Sequence, residues 1–197
     1  EFEGTEFNPF DIEGDVKYHL GYINKVKSIS GKDVRLYLSP NPSHLEAINP
    51  VLAGFSFSRQ KHFGGVKRVL PILLHGDASF AGQGIVAETF NLSKLNHYSV
   101  GGTIHIVMNN CIGFTANPEE FRSCIHSSDI SRMVRVPVIH VNADYPQLVV
   151  WAAQLSVLYR EKFNSDIVID LVGYRRHGHN ETDEPAFTQP VLYNKLK

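Results

Sequence analysis

Four short apolar runs set the frame for anything this chain can fold into. They are residues 69–75 (VLPILLH), 103–108 (TIHIVM), 136–141 (VPVIHV) and 166–172 (DIVIDLV). Each has the length of a strand and is apolar almost throughout, the pattern of a parallel strand covered on both faces. Helical spacing fills the intervals between them. Ile85, Thr89, Leu92 and Leu95 fall near one face of residues 84–95, and Leu148, Trp151, Leu155, Leu158 and Lys162 do the same in a helix running to about Phe163. Asp144 and Pro146 predict an N-cap and an early helical proline for that second helix. Strands alternating with helices predict an α/β fold, a mainly parallel sheet with flanking helices.

In such sheets ligands bind beyond the carboxyl ends of the strands. The polar clusters of this chain fall there: Gly76-Asp77, Asn109-Asn110, Asn142 and the loop from Tyr174. Random surface polarity would not gather on one edge. The first third of the chain is different. Residues 1–32 are polar and are expected to be irregular, residues 34–38 (VRLYL) alternate as a strand does, and Pro40 and Pro42 make 39–43 a loop. The expected organisation is an arm with loops over residues 1–65 and an α/β core over 66–197, together forming one domain.

Charge and composition remove several classes of function. A net charge of −1 gives no electrostatic attraction to nucleic acid or to an anionic membrane. No apolar run approaches the roughly 20 residues that span a bilayer. The N-terminus lacks the basic and apolar regions of a signal peptide, so either the protein is cytosolic or a targeting segment lies outside this chain. Two cysteines, Cys111 and Cys124, make no disulfide framework and point to a reducing compartment.

Asp77 and Asn110 carry the first chemical suggestion. A carboxylate and an amide oxygen at neighbouring strand ends, with a main-chain carbonyl and phosphate oxygens, would complete the octahedral oxygen set that Mg²⁺ prefers. Gly76, Gly82 and Gly84 would let a phosphate approach the backbone. On spacing alone, a turn carboxylate and a loop-capping amide explain the pair equally well. Arg175 and Arg176 suit an anion clamp or, alternatively, salt bridges to Glu181, Asp183 or Glu184. His177 and His179 lack the further ligands of a zinc site. His75, His105 and His140 lie in predicted strands and are expected to be ordinary satisfied core residues. A non-catalytic phosphate-binding module stays open, although no P-loop is present and Gly82-Gln83-Gly84 is only part of a dinucleotide fingerprint.

Gly76-Asp77-Ala78 followed by Asn109-Asn110 resembles the Gly-Asp-Gly…Asn-Asn signature of thiamine-diphosphate enzymes. The longer stretch ILLHGDASFAGQG (72–84) resembles specifically the 2-oxoglutarate dehydrogenase branch of the thiamine-diphosphate-dependent 2-oxo acid dehydrogenases, where Ala in the place of the second Gly is normal. So do GDVKYHLG (14–21), NPSHLEAINP (41–50) and YRRHGHNETDEP (174–185). These four stretches stand in the family's order and span nearly the whole chain.

The resemblance implies the diphosphate-binding half of the thiamine-diphosphate fold, with Asp77, the Asn110 side chain and the Ile112 main-chain oxygen holding Mg²⁺. It implies that Ser43, Leu45, Ala78, Ser79 and His179 contact the cofactor, that His19 meets a substrate carboxylate and that His44 lies near the reacting centre. The implied reaction is oxidative decarboxylation of a 2-oxo dicarboxylic acid, with succinyl transfer to the lipoyl group of a partner acyltransferase. The 2-oxoadipate branch shares these motifs and remains an alternative. The implied settings are the bacterial cytoplasm and the mitochondrial matrix. The family's aminopyrimidine-activating glutamate comes from a second domain, usually across a homodimer interface, and no matching stretch is found here. The chain is therefore expected to be a fragment that holds half of each site and does not turn over alone.

Overall fold

A computed structural model describes residues 17–178 and 182–196. The chain divides into two compact units, Glu1–His44 and Leu45–Lys197. In the first, a short helix α1 (Lys17–Leu20) precedes an antiparallel hairpin of β1 (Tyr22–Lys27) and β2 (Asp33–Leu38). β2 stands where its alternation predicts. β1 corrects the expectation of an irregular segment. Both strands are exposed along their whole length, so no buried face stamped a period on YINKVK. Cross-strand pairing supports the hairpin instead: Lys25 and Asp33 approach to 2.7 Å.

The second unit begins with α2 (Ile48–Phe63) and then alternates strands with helices. It contains β3 (Ile72–Gly76), α3 (Asp77–Gly82), α4 (Gly84–Ser93), β4 (Ile104–Asn109), α5 (Pro118–Phe121), β5 (Val138–Asn142), α6 (Pro146–Phe163), β6 (Ile167–Val172) and α7 (Pro190–Leu196). The four strands form one parallel sheet in the order β3-β4-β6-β5. The expected α/β architecture is therefore present. The chain steps outward from β3 to β4 to β5 and then returns, laying β6 between β4 and β5.

Each face of the sheet has its own core. On one face Phe80, Val86 and Phe90 pack with Val107, Val136 and Val168, under α3, α4 and a 3₁₀ helix, Ser127–Val134. Complete burial of Phe80 and Phe90 contributes about 1.5–3 kcal/mol each. On the other face Ile104, Val141, Ile167 and Ile169 pack against Ala152 of α6.

Both helices turn a different face inward from the one their spacing predicts. α4 buries Val86 and Phe90, one residue round from Ile85 and Thr89. α6 buries Ala152, Ser156 and Arg160, while Leu148, Trp151, Leu155 and Leu158 stand 38–63% exposed. Small side chains at 152 and 156 let the helix lie close to the sheet, and a row of large ones would hold it off. The N-cap of α6 is Tyr145, without a side-chain bond, rather than Asp144. β3 is an edge strand with alternating burial rather than a fully covered one.

Arg160 ties the base of the sheet together. Its buried guanidinium donates to four main-chain carbonyls: Nε to Gly102 at 3.1 Å, and Nη2 to Val66 at 2.9 Å, Val69 at 3.1 Å and Val100 at 3.1 Å. Gly102 itself has φ +90°, and a Cβ there would stand 2.3 Å from the Ser165 carbonyl oxygen.

Candidate functional site

The carboxyl ends of β3 and β4 bring Asp77 and Asn110 together. β3 ends at Gly76, and Asp77 opens α3 directly. Gly76 pairs with Met108, two residues before Asn110. The Asn110 main-chain N–H reaches the Asp77 carboxylate, as do the amides of Asp77 and Ala78. Asn110 makes a local turn in which its Oδ1 accepts the Ile112 N–H at 3.1 Å. Cys111 between them takes a left-handed conformation, φ +60°.

Asp77 is 2% exposed, and its Oδ2 has no hydrogen-bond partner. Burial pushes its carboxyl above the usual aspartate value, against the pull of the backbone amides and of Arg122. The Arg122 Nη1 lies 3.7 Å from Asp77 Oδ2, and Arg122 Nε and Nη1 are themselves buried without hydrogen-bond partners. Unsatisfied buried polar atoms are rare because each costs about 1–3 kcal/mol. Here a carboxylate oxygen and two guanidinium nitrogens share one place. An oxygen-seeking cation would satisfy the carboxylate, and an anionic group such as a phosphate would satisfy the guanidinium. Around Gly82 and Gly84 a Cβ would meet nothing within 4 Å, so there is open space beside the turn from α3 to α4. These residues fit Mg²⁺ with a diphosphate.

The remaining strand ends line a cavity of about 470 Å³, with Asn109, Asn110, Asp144, Arg175 and Arg176 on its wall. The convergence of polar clusters read from the sequence is thus present at the ends of β4, β5 and β6. Both arginines face this cavity.

Other predicted residues are distributed as follows. In the first unit, His19 Nε2 and Ser43 Oγ lie 3.1 Å apart, so two of the expected site residues meet. His44 and Leu45 are exposed. Ala78 and Ser79 follow Asp77 in α3, half-buried, and the Ser79 hydroxyl donates to Glu46 Oε1 at 2.6 Å. Ile112 is buried. His179 lies outside the described residues.

Sequence reasoning missed Arg122 and Glu46. Arg122 sits in an irregular, polar segment with no period or motif to mark it. Glu46 lies inside the quoted NPSHLEAINP stretch, but only the fold shows what it touches. Its carboxylate accepts from His75 Nδ1 at 2.6 Å, from Asn49 Nδ2 at 2.8 Å and from Ser79. Burial alone would raise its pKa; the His75 hydrogen bond and charge, with the Ser79 and Asn49 bonds, hold it below the usual glutamate value. Burial pushes His75 below the usual histidine value, against the Glu46 hydrogen bond.

Of the strand histidines, His75 is a buried, fully bonded core residue as expected, whereas His105 and His140 depart from that expectation. His75 Nε2 and His105 Nδ1 lie 3.1 Å apart, and His105 Nε2, 3.6 Å from Asp166, has no hydrogen bond. His140 is 41% exposed at its side chain.

The dehydrogenase E1 component family matches residues 10–197. The "2-oxoglutarate dehydrogenase E1 component" of Bacillus pumilus is 50% identical over 202 residues, covering 99% of this chain and 21% of that protein. The protein of the same name from Cupriavidus necator is 49% identical, covering 100% of this chain and 21% of that protein. The "2-oxoglutarate dehydrogenase-like, mitochondrial" protein of Pongo abelii is 49% identical over 186 residues, covering 93% and 18%. The chain spans about a fifth of the length of these relatives. With a parallel sheet whose carboxyl edge gathers Asp77, Asn110 and Arg122, and with the family matched over nearly all its length, this chain belongs to the dehydrogenase E1 components.

Proposed function

We propose that the chain is the diphosphate- and Mg²⁺-binding part of the first, decarboxylating component of a 2-oxoglutarate dehydrogenase complex. The observation that carries this reading is the buried Asp77 carboxylate oxygen without a hydrogen-bond partner beside Arg122. The names of the relatives support the choice of substrate.

On this reading Asp77, Asn110 Oδ1 and the Ile112 carbonyl hold Mg²⁺. Arg122 and the amides of Ala78 and Ser79 meet the diphosphate, with Ser43 and Leu45 against the rest of the cofactor. Bound thiamine diphosphate supplies the nucleophile for the 2-oxo carbon and accepts the electron pair released with CO₂. The chain's own residues bind and orient. His19 donates a hydrogen bond to a substrate carboxylate, and its 3.1 Å contact with Ser43 fixes the ring. His44 stands near the reacting carbon. Arg175 and Arg176 attract anions to the cavity they line. His179 approaches the diphosphate. The lipoyl disulfide of a partner succinyltransferase is the oxidant and receives the acyl group.

The aminopyrimidine-activating glutamate belongs to another domain, and each complete site forms across a homodimer. The compartment is the bacterial cytoplasm or the mitochondrial matrix; the relatives include a bacterial protein and one named as mitochondrial. No described helix is long and apolar enough to cross a membrane.

Calorimetric titration of thiamine diphosphate, with and without Mg²⁺, tests the reading. Binding that needs Mg²⁺, disappears in Asp77→Ala and weakens in Arg122→Ala is the expected result. Mg²⁺-dependent binding that survives Asp77→Ala would remove the site from Asp77. This chain alone should release no CO₂ from 2-oxoglutarate.

A further inference from the structure

A cluster of potential metal ligands lies on the β6–β5 side of the same sheet, away from the β3 and β4 ends that carry Asp77 and Asn110. Asp170 of β6 and His140 of β5 are register partners on adjacent parallel strands. His126, just before the 3₁₀ helix Ser127–Val134, lays its ring against that of His140, with centroids 4.3 Å apart. One ligand atom from each of His126, His140 and Asp170 falls within 4.8 Å of the others. We propose that these three side chains form a binding site for a divalent transition-metal ion of the Zn²⁺ class, separate from the Mg²⁺ and diphosphate site.

The chemistry of the donors selects the ion. Two imidazole nitrogens and one carboxylate suit Zn²⁺ and its first-row neighbours, whereas Mg²⁺ takes an all-oxygen set. The two centres would therefore sort their ions by ligand type. The three ligand atoms, all within 4.8 Å of one another, must draw in by up to about 1.5 Å on the His126 side to bind one ion. Ligands bound at about 2.0–2.1 Å in a tetrahedron stand roughly 3.3 Å apart. His140 Nδ1 and Asp170 Oδ2 are hydrogen-bonded at 2.8 Å, so the pair must open by a few tenths of an ångström.

The supporting shell is already built. Asp170 is fully buried, its Oδ1 accepts from Asn109 Nδ2 at 3.0 Å, and its Oδ2 accepts from Ser128 Oγ at 3.3 Å. Such partners aim a carboxylate and fix its orientation. The exposed side of His140 gives the ion a way in and leaves the fourth position to water.

The centre would join three separate pieces of backbone: β5, β6 and the loop leading into the 3₁₀ helix. Through Asp170 it also reaches the Asn109–Ile112 turn, since Asn109 Oδ1 receives the Cys111 N–H at 3.2 Å. The site does not depend on the proposed activity.

The test is a Zn²⁺ titration of the protein in excess Mg²⁺, with Co²⁺ substituted in parallel as a spectroscopic probe. One equivalent of Zn²⁺ should bind. Co²⁺ should show the visible bands of a four-coordinate ion with nitrogen ligands. His126→Ala and His140→Ala should each weaken Zn²⁺ binding by roughly a hundredfold or more, while His62→Ala, at an exposed position, should leave it unchanged. Circular dichroism of each variant separates loss of the site from loss of the fold. Absence of stoichiometric Zn²⁺ binding, Zn²⁺ affinity equal to wild type in both variants, or purely six-coordinate Co²⁺ would overturn the proposal. None of these results bears on thiamine diphosphate binding, so the two readings stand or fall separately.

Discussion

Replacing Arg160 by Met removes the most heavily bonded buried cation among the described residues and keeps most of its aliphatic length. Four carbonyls lose a donor, but not equally. Val69 and Val100 retain the Gln60 amide, at 3.3 and 2.8 Å, so the loss falls on Gly102 and Val66. The Gly102 carbonyl is buried and that of Val66 half-buried; at about 1–3 kcal/mol each when fully buried, their loss costs at most roughly 2–6 kcal/mol together. Desolvation of the guanidinium, which pushes its pKa down, works in the opposite direction and places the net toward the lower half of that range. Arg160→Ala further loses the methylene, sulfur and methyl that Met still supplies, adding about 2–5 kcal/mol. Against a typical total of about 5–15 kcal/mol, the Ala variant approaches the threshold of folding. Urea denaturation followed by circular dichroism measures both. The sheet base lies at the opposite end of the strands from Asp77, so the folded fraction should keep the wild-type Mg²⁺ dependence. A Met variant as stable as wild type would refute the reasoning, because it would mean that desolvation cancels all four bonds.

Other outcomes follow from the same structure. Asp77→Asn should abolish Mg²⁺-dependent cofactor binding and yet leave the ligand-free protein as stable as wild type or more so at neutral pH, since burial disfavours the charge it removes; thermal melts with and without Mg²⁺ read both effects. Between its raised folded value and the ordinary 3.8, Asp77 contributes stability as the pH falls. His75 and Glu46 have the opposite sign. Their folded values are lowered, so the unfolded chain binds the extra protons, and stability should decline as the pH drops below the ordinary 6.5 of histidine and again below the 4.5 of glutamate. Urea midpoints against pH should show the first decline flattened in His75→Gln. Gly102→Ala combines a φ of +90° with a 2.3 Å clash on backbone; a cost of about 3 kcal/mol should lower Tm by roughly 6–12 °C.

Much of this architecture was legible because a parallel sheet writes itself as continuous apolar runs. All four strands of the sheet lie within two or three residues of where those runs predict them, and the site edge follows from where they stop. What was illegible has a common cause. A period in the sequence reveals that a face is apolar, not which way it points. The stripe of α6 is real, but Ala152 and Ser156 let a different face, about a third of a turn away, lie closer to the sheet. β1 carries no period at all because neither of its faces is covered. Asp77 and Asn110 announced themselves through a motif, whereas Arg122 and Glu46 act through distant partners that a linear reading does not contain.

The outward stripe of α6 has an optical consequence. Trp151 is the only tryptophan in the chain and is 56% exposed. Its side chain is already more than half exposed in the native state, so unfolding shifts tryptophan emission less than it would for a buried indole. The same residue is a sensitive reporter of contact. Any surface that settles on the row of Leu148, Trp151, Leu155 and Leu158 must strip water from the indole and shift its emission to the blue. The protein thus carries, without labelling, a probe that responds more strongly to being covered than to denaturation.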